Sequence, residues 1–350
     1  MNLKSSVMER KWFMAKQEKL LIISPAFHGY CYSIADGFKE LGYETVIHRY
    51  DAFDGASAKI RNKVQYELPS KIGFDGQKAA EKHATAVAIA KLNEVRPDKL
   101  IVIKADTLGD GFWERVKRLN IPYMLWLYDD LKRHRYSIDF LKQLPVVLSY
   151  ARSEAEEFSN AGINAYFAPN GYDPKLADPP SHRTQEIVFV GSRYENRVEM
   201  MLHLQDAGIP VRVYGRGWSH HPYDRLRMWE WNRPNLPAER DVPLKEAYQI
   251  QAGAAGAINI HGLQAGLAMR TFEVPGMNGL QLIDRPDVEE FYDVGKEVLL
   301  YQSNDELVEL CQRVISDPQW SESIREAGRK RSLAEHTFFH RAQKMDRLWV

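Results

Sequence analysis

The sequence has little of what marks several common protein classes. Only two cysteines, Cys31 and Cys311, occur in 350 residues, and they match neither a zinc site nor a disulfide-stabilised scaffold. Lys plus Arg and Asp plus Glu both number 47, which excludes the basic excess typical of a general nucleic-acid-binding protein. No apolar run approaches the ~20 residues that cross a bilayer. We expect a protein of the reducing cytoplasm.

Two ligand-binding signatures are also missing. No G-x-G-x-x-G follows a predicted strand in the first half, which argues against a dinucleotide there. The adjacent acids Asp129 and Asp130 follow Tyr128 without the D-x-D spacing of a metal-binding pair, so no metal site is predicted. Residues 1–19 mix charged and polar side chains without the apolar core of a signal peptide, and they are predicted to form a loose arm.

Short apolar, β-rich runs alternate with amphipathic stretches along the rest of the chain. Continuously apolar strands separated by helices indicate parallel sheets covered on both faces. The predicted strands are Leu20–Ser24, Thr45–Tyr50, Leu100–Lys104, Tyr123–Tyr128, Val146–Tyr150 and Ala165–Ala168 in the first half, and Ile187–Val190, Val211–Tyr214, Ala257–Ile260, Leu280–Ile283 and Val298–Tyr301 in the second.

A polar, proline-rich segment, Asp173–Thr184, interrupts this alternation and is predicted to link two domains. The chain is therefore predicted to be an α/β protein with two doubly wound domains, at residues 20–175 and 185–325. Tandem domains of this kind leave a cleft between the carboxyl ends of their strands, where ligands bind. Residues 218–242 are irregular and rich in aromatics, and they are predicted to form a long loop or lid.

Two predicted strand ends in the first half carry candidate catalytic groups. After the first strand, Gly29 allows a sharp turn, and the preceding His28 is expected to face the cleft. His28 is either a base or substrate contact, or a structural loop histidine. After the fourth strand, one of Asp129 and Asp130 is expected to cap the next helix while the other contacts an acceptor, because adjacent strand residues point to opposite faces.

Glycine turns in the second half favour a phosphate-bearing ligand. The sequence FVGSRYENR at 189–197 predicts a strand, a glycine turn and a helix whose N-terminal N–H groups attract a phosphate. A second turn, YGRG at 214–217, brings two more glycines and an arginine to a strand end. Each turn is equally compatible with an ordinary strand–helix connection or flexible loop.

The stretch from Asn259 to Gly279 is the most informative. A strand ending at His261 leads through a loop rich in small residues to Arg270, and a short helix carries Glu273. A cation beside a helix N-terminus suits a diphosphate, and a carboxylate one turn later accepts two hydrogen bonds from ribose hydroxyls. The helix dipole and Arg270 are expected to keep Glu273 ionised. The alternative is a salt-bridged surface helix.

In this order, the segments ISPAFHGY, FVGSRYENR and NIHGLQAGLAMRTFEVPGMNG resemble the motifs of group 1 glycosyltransferases, especially the CgeB-like (spore maturation protein CgeB) branch. The resemblance runs from Leu20 to the C-terminus and is strongest from Ile187 to about Leu333. It implies the GT-B fold, in which two Rossmann-like domains face each other across a cleft. The acceptor is then expected on residues 20–175 and the nucleotide-sugar on residues 185–325, with a C-terminal helix at 326–350 returning to the first domain.

The resemblance also implies roles for individual residues. Glu273 would hold the ribose, Arg270 the diphosphate, and Gly191 and Asn196 would line the donor loop. The full set of predicted donor-binding residues is Gly191, Ser192, Arg193, Tyr194, Asn196, Arg197, Gly215, Arg216, Gly217, His261, Arg270, Thr271, Phe272 and Glu273. Transfer with retention, without a metal or another cofactor, is expected from a UDP-sugar or a related donor. If the reaction inverts instead, His28 or Asp129 is the predicted base.

The predicted activity is glycosyl transfer to a hydroxyl group of a cell-surface glycan, a small molecule or, less favoured, a modified base in phage DNA. One alternative is an NDP-sugar epimerase or hydrolase on the same fold. Another is a nucleotide-sugar-binding module without catalysis, suggested by Ala265, since many group 1 members have a glutamate eight residues before the ribose-binding one. The donor sugar and the oligomeric state stay open.

Overall fold

The computed structural model describes residues 17–51, 76–262 and 264–349. Most of the predicted arm at 1–19 therefore lies outside the described residues. The strands β1–β6 are Lys19–Ser24, Glu44–Arg49, Lys99–Ile103, Tyr123–Trp126, Val147–Ser149 and Ala165–Phe167, and β7–β12 are Ile187–Val190, Val211–Tyr214, Ala238–Glu239, Gly256–Asn259, Gln281–Ile283 and Leu299–Leu300. The helices α1–α12 are Tyr30–Glu40, Gly76–Val95, Asp110–Leu119, Ile138–Leu141, Arg152–Asn160, Glu195–Asp206, Pro222–Met228, Leu244–Gly253, Arg270–Gly276, Asn304–Ser316, Pro318–Glu335 and Phe338–Asp346.

The first six strands form one parallel sheet in the order β2-β1-β3-β4-β5-β6. Its central strands are fully buried, as the continuous apolar runs predicted, because helices cover both faces. Alternate residues of β1 enter different cores: Leu21 and Ile23 pack on one face of the sheet, and Leu20 and Ile22 on the other. Ile22 pairs with Ile47 on one side and with Ile101 on the other, which fixes the register.

The last six strands form a second parallel sheet in the order β12-β11-β10-β7-β8-β9. The strand order reverses between β1 and β3 in the first sheet and between β7 and β10 in the second. Ligands of such sheets bind at these points, outside the carboxyl ends of the strands. The predicted α/β fold of two doubly wound domains is confirmed.

The segment at 218–242 is more ordered than the predicted loop. It contains α7, Pro222–Met228, and the two-residue strand β9, where Ala238 pairs with Val213. The ring of His221 accepts a hydrogen bond from Tyr223 N at 3.2 Å and so caps α7, whose first residue is Pro222. The sequence pattern missed both elements because a helix of seven residues and a strand of two residues are too short to show periodicity.

The C-terminal end of the chain packs on the first domain through α12. The apolar side chains of Phe338, Ala342 and Met345 join the core beneath α1. Gly37 of α1 permits this contact, because a Cβ atom there would lie 2.7 Å from the Phe338 carbonyl oxygen. A single C-terminal helix at 326–350 was expected; instead the chain forms two helices that break between α11 and α12, where Phe338 N donates to Tyr172 O at 3.0 Å.

None of the described helices is both long and apolar enough to span a membrane.

Candidate active site

A cleft of about 530 Å³ lies between the two domains, where the carboxyl ends of β1, β7 and β8 meet. Both domains contribute to its wall, as the sequence predicted for two facing sheets. The residues that line it are His28, Tyr30, Val190, Gly191, Ser192, Arg193, Tyr194, Gly215, Arg216, Gly217, Met228, Glu230, Asp241, Val242, Leu244, Ala247, Gln251, Arg270 and Glu273.

The two predicted glycine turns pack against each other at the base of this cleft. A Cβ atom at Gly215 would lie 2.5 Å from the Gly191 carbonyl oxygen, so only glycine allows the approach. The same carbonyl oxygen accepts a hydrogen bond of 2.9 Å from the indole N–H of the buried Trp218. Trp218 and the close packing of the two glycines therefore hold both turns in place at the base of the cleft.

Arg270 lies directly behind the first glycine turn. Its Nη1 atom donates to the Val190 carbonyl oxygen, and its guanidinium lies 5.4 Å from the centre of the Phe189 ring. A Cβ atom at Gly191 would approach Nη1 to 2.9 Å, so this glycine makes room for the arginine. Burial lowers the pKa of Arg270, while the nearby Glu273 opposes that shift. The cation thus lies where the strand order reverses.

Glu273 is 3% exposed and lies at the junction of the domains. Its Oε1 atom accepts a hydrogen bond of 2.5 Å from the Tyr30 hydroxyl of the first domain and another of 3.3 Å from Tyr248. Burial raises the pKa of Glu273 to about 7, against the hydrogen bond from Tyr30 and the charge of Arg270. Desolvation therefore opposes the ionised form that the sequence predicts, and it outweighs the charge of Arg270 and the hydrogen bonds from the two tyrosines.

The other two arginines of the cleft are paired with acids from the 218–242 segment. Arg193 and Arg233 both bind the carboxylate of Glu230, and Arg216 Nη2 lies 3.2 Å from Asp241 Oδ2. The segment predicted as a lid therefore forms part of the cleft wall and supplies its counter-charges.

The remaining predicted donor-binding residues do not line the cleft. Arg197 is buried and donates to the carbonyl oxygens of Ser192 at 2.9 Å and Ile260 at 2.7 Å, which joins the ends of β7 and β10. Desolvation lowers its pKa to about 10. Asn196 is exposed on α6. Arg197 thus supports the first glycine turn from below.

Three further predicted residues hold the segment around Arg270 in place. His261 Nδ1 lies 2.8 Å from Asp284 Oδ1, and its Nε2 atom accepts from Ala268 N at 3.0 Å. Thr271 is buried and accepts a hydrogen bond from Asn259, while the buried Phe272 packs in the domain core. These side chains position the site without lining it.

The candidate catalytic residues of the first domain separate in space. His28 is exposed, has a positive φ of 48° and lines the cleft. Asp129 does not line the cleft, and its carboxylate pairs with Lys104 at 3.1 Å and Arg133 at 3.5 Å. Asp130 is buried and accepts hydrogen bonds from the Tyr150 hydroxyl at 2.6 Å and from Ala265 N at 3.0 Å.

Sequence reasoning missed several residues that contact the site. Tyr30 ends the SPAFHGY motif, two positions after His28, and this proximity was the one available signal for it. Nothing in the local sequence marks Tyr248, which donates to Glu273 from α8, or Asn170, which donates to the loop before Arg270.

Residues 193–347 match the family described as glycosyl transferase-like. This part of the chain is similar to glycosyl transferases. The spore protein CgeB of Bacillus subtilis (strain 168) is 22% identical over 272 residues, which cover 72% of this chain and 83% of that protein. The predicted resemblance to CgeB-like glycosyltransferases is confirmed.

Two solved structures with the same fold are informative. HepE from Anabaena in complex with UDP-glucose superposes with a TM-score of 0.62 at 12% identity, covering 95% of this chain and 99% of HepE. A protein from Listeria monocytogenes, assigned as a UDP-N-acetylglucosamine 2-epimerase, superposes with a TM-score of 0.58 at 9% identity, covering 94% of this chain and 95% of that protein. The first structure supports the predicted GT-B architecture, and the second has a similar fold with a different assigned activity.

Proposed function

We propose that this glycosyltransferase moves a sugar from a UDP-sugar, or a closely related nucleotide-sugar, to a hydroxyl group of an acceptor. The observation that carries the proposal is the convergence of two glycine turns, Arg270 and Glu273 in one cleft at the strand-order reversal of the second sheet. HepE, a protein of the same fold, has been crystallised with UDP-glucose. The acceptor is a cell-surface glycan, a small molecule or, less favoured, a modified base in DNA.

In this proposal Arg270 stabilises the departing diphosphate. Its guanidinium is half-buried, and an interaction with a developing negative charge is stronger where water is excluded. The N–H groups of Gly191 and Gly215 already donate to the carbonyl oxygens of Tyr214 and Glu239, so further donors would come from the residues that follow these glycines. This arrangement needs no metal or other cofactor, and we propose that the enzyme works without one.

Glu273 would accept hydrogen bonds from the two ribose hydroxyls. A carboxylate accepts both, and the Tyr30 and Tyr248 hydroxyls already hold its Oε1 atom in a fixed orientation. With a pKa of about 7, the group is about half ionised at neutral pH. Donor binding is then expected to draw the remaining carboxyl groups into the ionised form.

We propose that the sugar is transferred with retention, which requires no base from the protein. His28 is the residue of the first domain, among those predicted as catalytic, that lines the cleft. If the product has inverted configuration, His28 becomes the base that accepts the proton of the acceptor hydroxyl. The stereochemistry of the product, read by NMR, decides between these two roles.

The cytoplasmic location stays a prediction.

An epimerase or hydrolase is the second candidate, since the Listeria protein assigned as an epimerase has a similar fold. A nucleotide-sugar-binding module without catalysis is the third. Ala265 occupies the position of the expected second glutamate, and its backbone N–H, not a side chain, makes a contact there. The fate of the sugar distinguishes all three candidates.

The test begins with a thermal-shift screen of UDP, GDP and TDP sugars, because a ligand at 100 times its Kd adds about 2.7 kcal/mol of stability. The best donor is then incubated with glycan and small-molecule acceptors, with and without EDTA, and the products are separated by mass. A glycosylated acceptor supports transfer. Free sugar or an epimer alone supports the second candidate, binding without product the third, and no binding by any donor contradicts all of them.

A further inference from the structure

The loop that leads into Arg270 is attached to the first domain as well as to its own. Ala265 N donates to Asp130 Oδ1 at 3.0 Å, and Asn170 Nδ2 donates to the Leu267 carbonyl oxygen at 3.1 Å. Asp130 and Asn170 are both buried residues of the first domain. The peptide backbone of residues 265–267 is therefore hydrogen-bonded across the domain boundary, three to five residues before Arg270.

Close packing reinforces these hydrogen bonds. A Cβ atom at Gly266 would lie 2.6 Å from the ring of Tyr150, so the loop fits against the first domain only with glycine at this position. Tyr150 also donates its hydroxyl to Asp130 at 2.6 Å, which fixes the carboxylate that receives Ala265 N. The other oxygen of Asp130 lies 3.4 Å from Lys132 Nζ.

The second domain holds the same loop from its opposite side. Arg285 donates to the carbonyl oxygens of Gln264 at 2.8 Å and Ala265 at 2.9 Å, and His261 accepts from Ala268 N. The loop is thus fixed by both domains at once. Separating the domains would leave the contacts of Arg285 and His261 intact but would break those of Asp130 and Asn170.

A third link joins the first domain to the site itself. The Tyr30 hydroxyl donates to Glu273 Oε1 at 2.5 Å, and both side chains are buried. Tyr30 is the first residue of α1, which packs against α12, and its ring lies 6.3 Å from that of Phe338. The proposed ribose contact is therefore oriented by a helix that belongs to the other domain.

We propose that Asp130 and Tyr30 are positioning residues of the donor site, through which the first domain sets the geometry of Arg270 and Glu273. This inference rests on the proposed function of those two residues. It assigns the first domain a part in donor binding in addition to acceptor binding. Donor binding and the docking of the two domains are then coupled, and each favours the other by the same free energy.

The test compares donor binding by the full-length protein and its variants, with UDP-glucose as the probe and isothermal calorimetry as the measurement. Asp130→Ala removes the acceptor for Ala265 N and should raise the Kd at least tenfold. Asp130→Asn keeps an oxygen that can accept from Ala265 N and Tyr150, and it should restore the Kd to within about threefold of wild type. A loss without rescue by asparagine would overturn the role of the hydrogen bond.

Tyr30→Phe tests the link to Glu273, and it keeps the inference testable if Asp130→Ala fails to fold. It should raise the Kd about three- to tenfold. Its matched control is Tyr292→Phe, which removes the hydroxyl of another buried tyrosine, bonded to Ser332 Oγ at 2.8 Å within the second domain. The control should bind UDP-glucose as wild type does. Equal Kd values for Tyr30→Phe and Tyr292→Phe would overturn the inference for Tyr30.

Amide hydrogen exchange adds a measurement that a general loss of stability would not reproduce. UDP-glucose should slow exchange at Ala265 N in the wild-type protein, and this protection should be absent in Asp130→Ala and regained in Asp130→Asn. Wild-type binding with no change of exchange at Ala265 N would overturn the coupling while leaving the proposed function intact. If UDP-glucose does not bind, the best donor of the thermal-shift screen replaces it as the probe; failure of the wild-type protein to bind any donor would overturn donor binding as proposed, and the inference with it.

Discussion

Replacing Glu273 by glutamine is the most decisive perturbation of the proposed donor site. Glutamine has the same shape, and its amide oxygen can still accept the hydrogen bond from Tyr30. It loses the charge, and hydrogen bonds to charged groups contribute about 1.5–3 kcal/mol. The Kd of a UDP-sugar should therefore rise roughly 10- to 150-fold.

The same substitution should not weaken the fold. Burial raises the pKa of Glu273 to about 7 from 4.5, and at 1.36 kcal/mol per pH unit the buried ionised form costs about 3 kcal/mol. Between these two pKa values the unfolded chain has lost the proton that the folded protein retains. Stability from the neutral carboxyl group is thus present below pH 4.5 and is lost as the pH rises to about 7. Glutamine removes this loss, so the variant should be as stable as wild type at pH 4.5 and more stable at pH 8.

Donor binding should depend on pH with the opposite sign. If ribose requires the ionised carboxylate, wild-type affinity should fall as the pH decreases below about 7, while the glutamine variant should show no such change. Calorimetry with UDP-glucose between pH 5.5 and 8.5 and thermal unfolding between pH 4.5 and 8.5 measure the two effects. The control is Glu326→Gln, an exposed position on α11. Unchanged donor affinity in Glu273→Gln, or a wild-type Kd independent of pH, would refute the ribose role.

Two further predictions concern the glycine turn and the C-terminal helix. Gly191→Ala places a Cβ atom 2.9 Å from Arg270 Nη1, so the guanidinium must move, and the Kd for UDP-glucose should rise at least tenfold in calorimetry. An unchanged Kd would show that Arg270 does not bind the donor from this position. Phe338→Ala empties a buried position between α12 and α1 and should lower the free energy of unfolding by about 3–5 kcal/mol in urea titrations. The exposed Leu333→Ala should change that free energy by less than about 0.5 kcal/mol, and equal effects of the two would contradict the packing of α12.

Local sequence was sufficient where structure depends on local properties. Strand β1 was predicted because a strand buried on both faces must be apolar at every position, and Leu20 to Ile23 satisfy this. The turn at Gly191 was predicted because a glycine after a strand allows a sharp backbone turn. The strand β9 at Ala238–Glu239 was missed, since it forms by pairing with β8 and has no pattern of its own.

Some features of the candidate site were likewise predictable from local sequence, and others were not. Arg270 and Glu273 were predicted as donor-binding residues because their residue types, one helical turn apart after a loop of small residues, suit a diphosphate and a ribose. The sequence did not indicate that Asp129 would form ion pairs with Lys104 and Arg133, or that Asp130 would accept a hydrogen bond from Ala265 N. These partners depend on the directions in which the two side chains point, and no local sequence signal indicates those directions.

The sequence by itself determined the two parallel sheets, the glycine turns and the residue types of the donor site, because each follows from periodicity or backbone freedom over a few neighbouring residues. Only the tertiary structure decided how the domains meet. The contact of Tyr30 with Glu273 joins positions 243 residues apart, and it exists because the two sheets dock with their carboxyl ends together. The same docking buries Glu273 and raises its pKa, since desolvation depends on every element packed around a charge and not on the residues beside it in the chain.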